Sequence, residues 1–362
     1  MRPVKKLAVT SAVAMLSLGM TACGSNSTNN NSSAPAGNSG ASGSSGGSAA
    51  GALKVGLAYD VGGRGDHSFN DSAAKGLDEA KAEFGIKPTE VAATNGENDA
   101  ARVSRLQQLA QSGNQAIVAV GFSYAAAIGK VAKQFPNVKF AIIDDASPDS
   151  KGDNIDQITF TEEQGSYLAG AAAALKSKSG HIGFVGGVEV PLIKKFQAGY
   201  VAGAKKVNPN IKIDSTYLTQ APDFSGFADP AKGKTAAQGM FQNGADIVYH
   251  AAGKSGDGVF DAAKAAGSGK WAIGVDSDQA QTAPAGVRPI ILTSMLKGVD
   301  VGVKSFLKKV HDGNFKGGNS VYALKDGGVS LATTGGHIDD IKAKLDELKK
   351  GIEDGSIKVP SA

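Results

Sequence analysis

An α/β protein of two doubly wound lobes, each a parallel sheet covered by helices on both faces, is what this sequence predicts. Three observations carry the prediction. From Leu53 onward short apolar runs alternate with stretches of helical period. The alternation completes once by about Asp156 and then begins afresh. The first apolar run also leads straight into a Gly-rich loop and a helix, the arrangement that open α/β sheets use at their ligand-binding edge.

Lys54 to Tyr59 is a run of strand type, Asp60 to His67 a Gly-rich turn, and Ser68 stands where a helix N-cap belongs. From Asn70 the period turns helical, with Ala73, Leu77, Ala80 and Phe84 on one face. Thr89 to Ala93 is a strand, and a helix over about Asp99–Ser112 aligns Val103, Leu106 and Ala110. Ala116–Val120, a helix over Ala125–Gln134, and Lys139–Ile143 ending at Asp144-Asp145 complete the first lobe. After a polar loop to Asp156, Ile158–Phe160 leads into a long helix over Glu162–Lys176. The second lobe follows as strands His181–Val185, Ile211–Leu218, Ile247–His250 and Trp271–Val275, with helices Pro191–Lys206, about Asp229–Gln242 and Gly256–Ala266 between them. Pro191 suits a first helical position, where its missing donor costs nothing. Ile290–Ser294, a helix over about Gly298–Asp312, and a charged helix over Asp339–Lys350 end the chain.

The expected bounds are a first lobe over 53–158 with a return segment at about 281–314, and a second lobe over 159–280 with a C-terminal segment at about 315–362. Ahead of them, Met1 to Lys6 is basic and Leu7 to Leu18 apolar but too short to span a bilayer, which reads as a signal peptide over 1–22. Leu18-Gly-Met-Thr-Ala-Cys23 resembles a bacterial lipobox, so Cys23, the only cysteine, is expected to carry the lipid. Gly24 to Gly51 holds only Gly, Ser, Asn, Thr, Ala and Pro and cannot build a core, so 23–52 reads as a tether. Its root-mean-square span as a flexible coil is roughly 30 Å. Of 38 Lys and Arg, three (Arg2, Lys5, Lys6) fall in the signal segment, leaving 35 against 34 Asp and Glu. That near-neutral balance argues against nucleic acid as a partner.

The loop Gly62-Gly-Arg-Gly-Asp-His-Ser-Phe69 invites a nucleotide reading, but Ser68 falls where the third Gly of a dinucleotide fingerprint belongs, and there is no phosphate-loop G-x-x-x-x-G-K-[ST]. Gly121-Phe-Ser-Tyr-Ala125 comes near the nucleophile elbow of α/β-hydrolases, with Asp276 and His337 following in hydrolase order. Ala125 departs from the elbow's second Gly, and Ser123 serves equally well as a helix cap. The five histidines have no ligand spacing, and the acidic run Asp144, Asp145, Asp149, Asp153 and Asp156 lacks the pattern of an EF-hand, so a solvated loop and no metal are expected.

Seven spaced segments in order carry a resemblance. Asp60-Val-Gly-Gly-Arg-Gly-Asp-His-Ser-Phe-Asn70, Phe140-Ala-Ile-Ile-Asp144, Gly186 with Phe196-Gln-Ala-Gly-Tyr200, Gly226-Phe-Ala-Asp229, Ala245-Asp-Ile-Val with Ala252-Gly253, Gly274-Val-Asp-Ser-Asp278 and Thr293-Ser-Met-Leu-Lys297 together resemble the basic membrane protein family. These are PnrA-like substrate-binding lipoproteins of nucleoside ABC importers. The resemblance runs from about Lys54 to Asp312 and then weakens. It implies a type I periplasmic-binding-protein fold, two Rossmann-like lobes joined by a multi-crossover hinge and closing on a purine nucleoside. Phe69 and Phe227 would sandwich the base, Asp144 would bond its polar edge, and Asp276 with Lys297 would hold the ribose near Gly253. Asp66, Ser68 and Asn70 would shape the rim, and Phe196 would line the pocket. It further implies permease and ATPase partners, no cofactor, no catalysis, and a monomer anchored on the extracytoplasmic face of a bacterial membrane.

The residues themselves are consistent with this. Only 22 of 362 residues are aromatic, so Phe69 on a polar Gly-rich loop calls for a reason. It is either a ligand-stacking ring or a hydrophobic staple on the following helix. Phe227 is a ligand ring or a core anchor, and Lys297 a donor into the cleft or the solvated start of the next helix. Asp276 ends an apolar strand, where a carboxylate can accept both hydroxyls of a sugar. The same fold binding a sugar or other small metabolite, or serving as a surface sensor, is the alternative, and a hydrolase built on Ser123 the more distant one.

Overall fold

The structure, a computed structural model, describes residues 52–361. The expected signal peptide, Cys23 and nearly all of the tether lie outside the described residues. The first lobe begins β1 (Lys54–Tyr59), α1 (Phe69–Phe84), β2 (Lys87–Ala92), α2 (Asp99–Gln111), β3 (Ala116–Val120), α3 (Ala125–Gln134), β4 (Lys139–Ile143) and β5 (Ile155–Phe160). The second follows as α4 (Glu162–Lys176), β6 (His181–Glu189), α5 (Pro191–Val207), β7 (Lys212–Gln220), α6 (Pro230–Gln242), β8 (Ile247–Ala251), α7 (Gly256–Ala265), β9 (Trp271–Asp276), α8 (Gln279–Thr282) and β10 (Ile291–Lys297). Then come α9 (Val299–His311), β11 (Gly318–Tyr322), β12 (Val329–Leu331) and α10 (Lys342–Glu353).

Among the described residues two six-stranded sheets result, ordered β11-β5-β4-β3-β1-β2 and β12-β10-β9-β8-β6-β7. Every pairing is parallel except β10 with β12. The sheets repeat one plan, so β4 and β9 occupy equivalent positions. The helix ends follow local chemistry. Asn98 caps α2 by accepting from Ala101 N–H, Asp229 caps α6 from Lys232 N–H with Pro230 behind it, and Pro191 opens α5 as expected.

Each lobe carries an apolar layer on one face of its sheet. Leu106, Leu109, Ile117, Ile128 and Phe140 fill it in the first lobe, and Met240, Phe241, Val248 and Phe260 in the second. The layers on the other faces merge into one larger core that runs from Leu77 and Phe306 through Phe160 to Tyr200 and Phe184. Burying each large side chain contributes about 1.5–3 kcal/mol. The hinge is thus packed through, not hung on bare linkers.

The late segments correct the expected bounds. Ile291–Lys297, expected to return to the first lobe, is β10 of the second sheet, because it pairs in parallel with β9; only α9 returns, packing on α1. β11, expected in the second lobe, pairs with β5 in the first sheet, while β12 and α10 stay with the second. The chain therefore crosses between lobes at Thr161, at Gly298 and over Ala323–Gly328. Thr161 N–H donates to Tyr322 O at 3.3 Å and Gly298 N–H to Gly328 O at 2.9 Å, so the crossings lie side by side.

Candidate functional site

The carboxyl ends of both sheets open on one cleft, where open α/β sheets bind ligands at the point at which strand order reverses. That point lies between β1 and β3 in the first sheet and between β6 and β8 in the second. Chain leaving these strands lines a cavity of about 530 Å³, mouth included. Nine of the ten residues singled out from the sequence line it: Asp66, Phe69, Asn70, Asp144, Phe196, Phe227, Gly253, Asp276 and Lys297. Ser68 is fully buried behind Asp276.

The loop after β1 is built differently from its sequence reading. Ser68 makes no cap bond to α1. Asp66 does that work: Oδ1 accepts from Ser68 N–H and Asp71 N–H at 2.9 and 3.0 Å, and Oδ2 accepts from Asn70 N–H and its side-chain amide, both at 2.9 Å. The Ser68 hydroxyl is thereby free to donate across the cleft to Asp276 Oδ2 at 2.8 Å. Asn70 Oδ1 accepts from Asp60 N–H at 3.0 Å, so Asp66 and Asn70 border the cavity as its scaffold. Phe69, held by this frame at the first position of α1, is half-buried on the cavity wall and not a staple.

Phe227 closes the opposite wall on a short 3-10 turn, Phe224–Phe227, pinned by Ser255, whose hydroxyl donates to Gly226 O at 2.7 Å. A Cβ at Gly187 would overlap the edge of the Phe227 ring, so the glycine makes room for it. Asp144 and Asp276, at equivalent strand ends of the two lobes, both have left-handed backbone, φ 69° and 64°. Such backbone costs about 1–3 kcal/mol for a residue with a Cβ and is a feature of ligand sites.

Between these carboxylates sits Lys297. Its Nζ is 2.6 Å from Asp144 Oδ2, 3.8 Å from Asp276 Oδ1 and 3.9 Å from Glu162 Oε1. It also lies over the rings of Phe69, Phe196 and Phe160, at 4.8, 5.4 and 5.5 Å from their centroids. Its own burial pulls the ammonium pKa down, but Asp144, Asp276 and Glu162 outweigh that and hold it above its ordinary range. Burial pushes the Asp276 carboxyl up against the pull of Lys297. Burial likewise pushes Asp60 and Asp66 up to about 6 despite their hydrogen bonds. Among the described residues Oδ1 of Asp144 and Oδ1 of Asp276 are buried with no partner, two acceptors available to a ligand. Asp276 thus offers one unpartnered oxygen rather than two, since Ser68 occupies the other.

Sequence reasoning misses Asp60, Phe122, Leu192, Ile193 and Glu162. Asp60 carries the same signal as Asp276, a carboxylate closing an apolar strand; Phe122 lies inside the motif that comes near a hydrolase elbow. Leu192 and Ile193 are ordinary apolar residues at the start of α5 and give none. The elbow itself is not assembled. The Ser123 hydroxyl donates to Asp60 Oδ1 at 3.1 Å, and His337 packs on Trp271 with ring centroids 4.7 Å apart. Trp271 and Asp276 are opposite ends of β9, separated by roughly 16 Å of strand. Nor is the acidic run after β4 simply solvated: Asp156 is buried and accepts from Lys309 and Ser320 at 3.1 and 2.8 Å. No group of His, Cys, Asp and Glu among the described residues could hold a metal.

Comparison with known proteins agrees with this architecture. The family model described as "ABC transporter substrate-binding protein PnrA-like" matches residues 53–361. The chain is 38% identical over 322 residues to the ABC transporter nucleoside-binding protein BmpA of Lactococcus lactis subsp. cremoris, covering 85% of this chain and 89% of that one. It is 37% identical to the CD4+ T-cell-stimulating antigen of Listeria monocytogenes, covering 84% and 87%. Among solved structures, a solute-binding protein of an ABC transporter system from Aeropyrum pernix K1 superposes with a TM-score of 0.74 at 30% identity, covering 86% of this chain and 94% of that one. A match over nearly the whole of both lobes, and relatives above a third identical, establish that the chain belongs to the PnrA-like family of ABC transporter substrate-binding proteins.

Proposed function

We propose that the protein captures a purine nucleoside between its lobes and delivers it to a membrane permease driven by an ATPase, acting as a monomer held by a lipid on Cys23 at the extracytoplasmic face of a bacterial membrane. It binds and releases; it catalyses nothing. The observation that carries this reading is the make-up of the cavity, where half-buried Phe69 and Phe227 stand on opposite walls and come from opposite lobes, beside two unpartnered carboxylate oxygens and a lysine.

A purine offers two π-faces, and each aromatic stacked on a base contributes about 1–3 kcal/mol. Asp144 Oδ1 suits an N–H on the base edge, while Asp276 Oδ1 and Lys297 suit ribose hydroxyls as acceptor and donor. Among the described residues, four carboxylates line the cavity, from Asp60, Asp66, Asp144 and Asp276, against the one ammonium of Lys297. A neutral, hydroxylated ligand fits that balance, and a phosphorylated one is repelled. The nucleoside-binding name of the Lactococcus relative points the same way.

A thermal-shift panel of adenosine, guanosine, inosine, uridine, adenosine 5′-monophosphate, ribose and glucose tests the reading. A purine nucleoside at 100 times its Kd stabilises the fold by about 2.7 kcal/mol. The monophosphate is expected to shift the midpoint far less. A shift with free sugars and none with nucleosides replaces this reading with a sugar-binding one.

A further inference from the structure

Glu162 is the first residue of α4, just after the first crossing between lobes, and Lys297 is the last residue of β10, just before the second. Their side chains meet at the hinge with Asp144 and Asp276, and the four side chains are 1%, 2%, 4% and 7% exposed in the order Glu162, Lys297, Asp144, Asp276. Three carboxylates against one ammonium, all out of water, is a costly excess of charge, since each buried ion forfeits several kcal/mol of solvation. One acid is therefore expected to be neutral. Asp144 holds the ammonium at 2.6 Å, and Asp276 accepts the Ser68 hydroxyl. Glu162 has weaker support: Lys297 is 3.9 Å from Oε1, the half-exposed Lys195 of α5 is 3.8 Å from Oε2, Oε2 has no hydrogen-bond partner among the described residues, and its own backbone N–H adds the one hydrogen bond that favours the ionised form. Its other titratable neighbours, Tyr249 on β8 and Glu163 on α4, supply no positive charge.

We propose that Glu162 is a positioning residue for Lys297, and that closure of the lobes loads one proton from solvent onto its carboxylate, so that ligand capture is proton-linked. Asp144 belongs to the first lobe, while Lys297, Asp276 and Glu162 belong to the second. With the lobes apart, Asp144 is withdrawn, water enters, and ionised Glu162 serves as a counter-ion of Lys297. With the lobes together, neutral Glu162 leaves the ammonium to Asp144, which ties one lobe to the other across the ligand. Burial, reinforced by Asp144 and opposed by Lys297, pushes the Glu162 carboxyl up to about 8 in this closed arrangement.

The probe is adenosine, whose use rests on the nucleoside reading; the linkage itself does not. Calorimetric titration at pH 7.2, in two buffers of different ionisation enthalpy, is expected to show uptake of about 0.9 proton per site, with Kd about five-fold weaker at pH 8 than at pH 7. Asp60 and Asp66 titrate lower, near 6, and contribute little in that window. Glu162→Gln keeps the side-chain shape and removes the titration, so it is expected to take up no proton and to hold one Kd across the window. Uptake and slope that persist in Glu162→Gln, or that are absent from the wild type, overturn the proposal. If no nucleoside gives heat, the nucleoside reading fails, and the linkage is decided with whichever ligand of the thermal-shift panel binds, by infrared difference spectra at pH 7 between bound and unliganded protein. A carboxylic-acid carbonyl band that appears on binding in wild type and not in Glu162→Gln supports it; no such band in wild type overturns it.

Discussion

Asp276 gives one oxygen to Ser68 and keeps the other, Oδ1, without a partner, so what fills the cleft determines what that second oxygen contributes. A hydrogen bond to a charged group contributes about 1.5–3 kcal/mol, or roughly ten- to 150-fold in Kd. Adenosine is therefore expected to bind more tightly than deoxyadenosine, and deoxyadenosine more tightly than adenine. Asp276→Ala should flatten that ranking while the aromatic rings still hold the base. Calorimetry with the three ligands checks it, and a mutant that keeps the full ribose preference removes Asp276 from the sugar. His250 makes a different prediction, about stability. It is fully buried in β8 against Phe260, and burial lowers its pKa to about 4 against the opposing pull of the Gln279 side chain. Unfolded, it binds a proton near its ordinary 6.5, so between those values the unfolded chain holds more protons and stability falls as pH drops through the window. The full effect is about 3 kcal/mol. Asp60 and Asp66 act in the opposite sense, since their raised pKa values favour the folded state as pH falls below 6. His250→Leu isolates the histidine: its stability relative to wild type, from urea midpoints, should improve by about 2–3 kcal/mol between pH 7.5 and 4.5. An unchanged difference would show that His250 does not titrate in the fold.

Secondary-structure elements carry these side chains to the cleft, and the 3-10 turn Phe224–Phe227 shows how closely the fit is set. Gly187, in β6, leaves the space that the Phe227 ring occupies. Gly187→Ala is expected to push the ring off the wall and weaken nucleoside binding about five- to 150-fold, as Phe227→Ala would, since either change removes one stacking face. Equal affinity in Gly187→Ala and wild type would return Phe227 to the core. The sequence reveals such elements unevenly. The apolar strands β1, β3, β4, β8 and β9 stand out because both faces are buried, and the carboxylates that close β1, β4 and β9 are visible as the first charge after an apolar run. β11 and β12 do not stand out. They are short edge strands whose residues, such as Asn319, Ser320 and Ser330, are polar and at least partly exposed, and their sheet is decided by partners about 160 and 30 residues distant in sequence. The lobe of β10 is hard to read for the same reason: its pattern fits either sheet, and pairing with β9 decides. Ser68 shows the limit at a single residue. Cap chemistry favours it, yet Asp66, two residues earlier, satisfies the same N–H groups with two oxygens, and no local pattern reveals that Asp276 is waiting across the cleft. Glu162 is invisible in the sequence because a glutamate in the first turn of a helix ordinarily belongs there to favour the helix dipole.

The molecule as a whole is held with its lobes in contact at two flanks of the cleft. On one, the His67 ring meets Asp257 at 3.2 Å, and the hydroxyls of Ser277 and Thr282 donate to the carbonyls of Ser68 and His67 at 2.8 and 3.1 Å. On the other, Phe224 of the second lobe sets its ring edge-on to Phe122 at 5.7 Å and under the guanidinium of Arg102 at 5.7 Å, both from the first lobe. Phe224 does not line the cavity, yet it shares a turn with Phe227, which does. Its contacts exist only while the lobes are together, so they oppose opening without touching a ligand. An aromatic pair contributes about 0.5–1.5 kcal/mol and a cation over a ring about 0.5–1 kcal/mol, which together amount to roughly ten-fold in an opening equilibrium. Because encounter takes place with the lobes apart, Phe224→Ala should leave the association rate alone and raise the dissociation rate about ten-fold. Stopped-flow displacement of bound adenosine measures the second, and the concentration dependence of binding the first. Small-angle scattering supplies the control, since the wild type should become more compact on binding and the variant should reach the same compact state at saturation. A loss of affinity that appears in the association rate, or a variant that binds without compaction, would mean that Phe224 shapes the open cleft and does not latch the closed one.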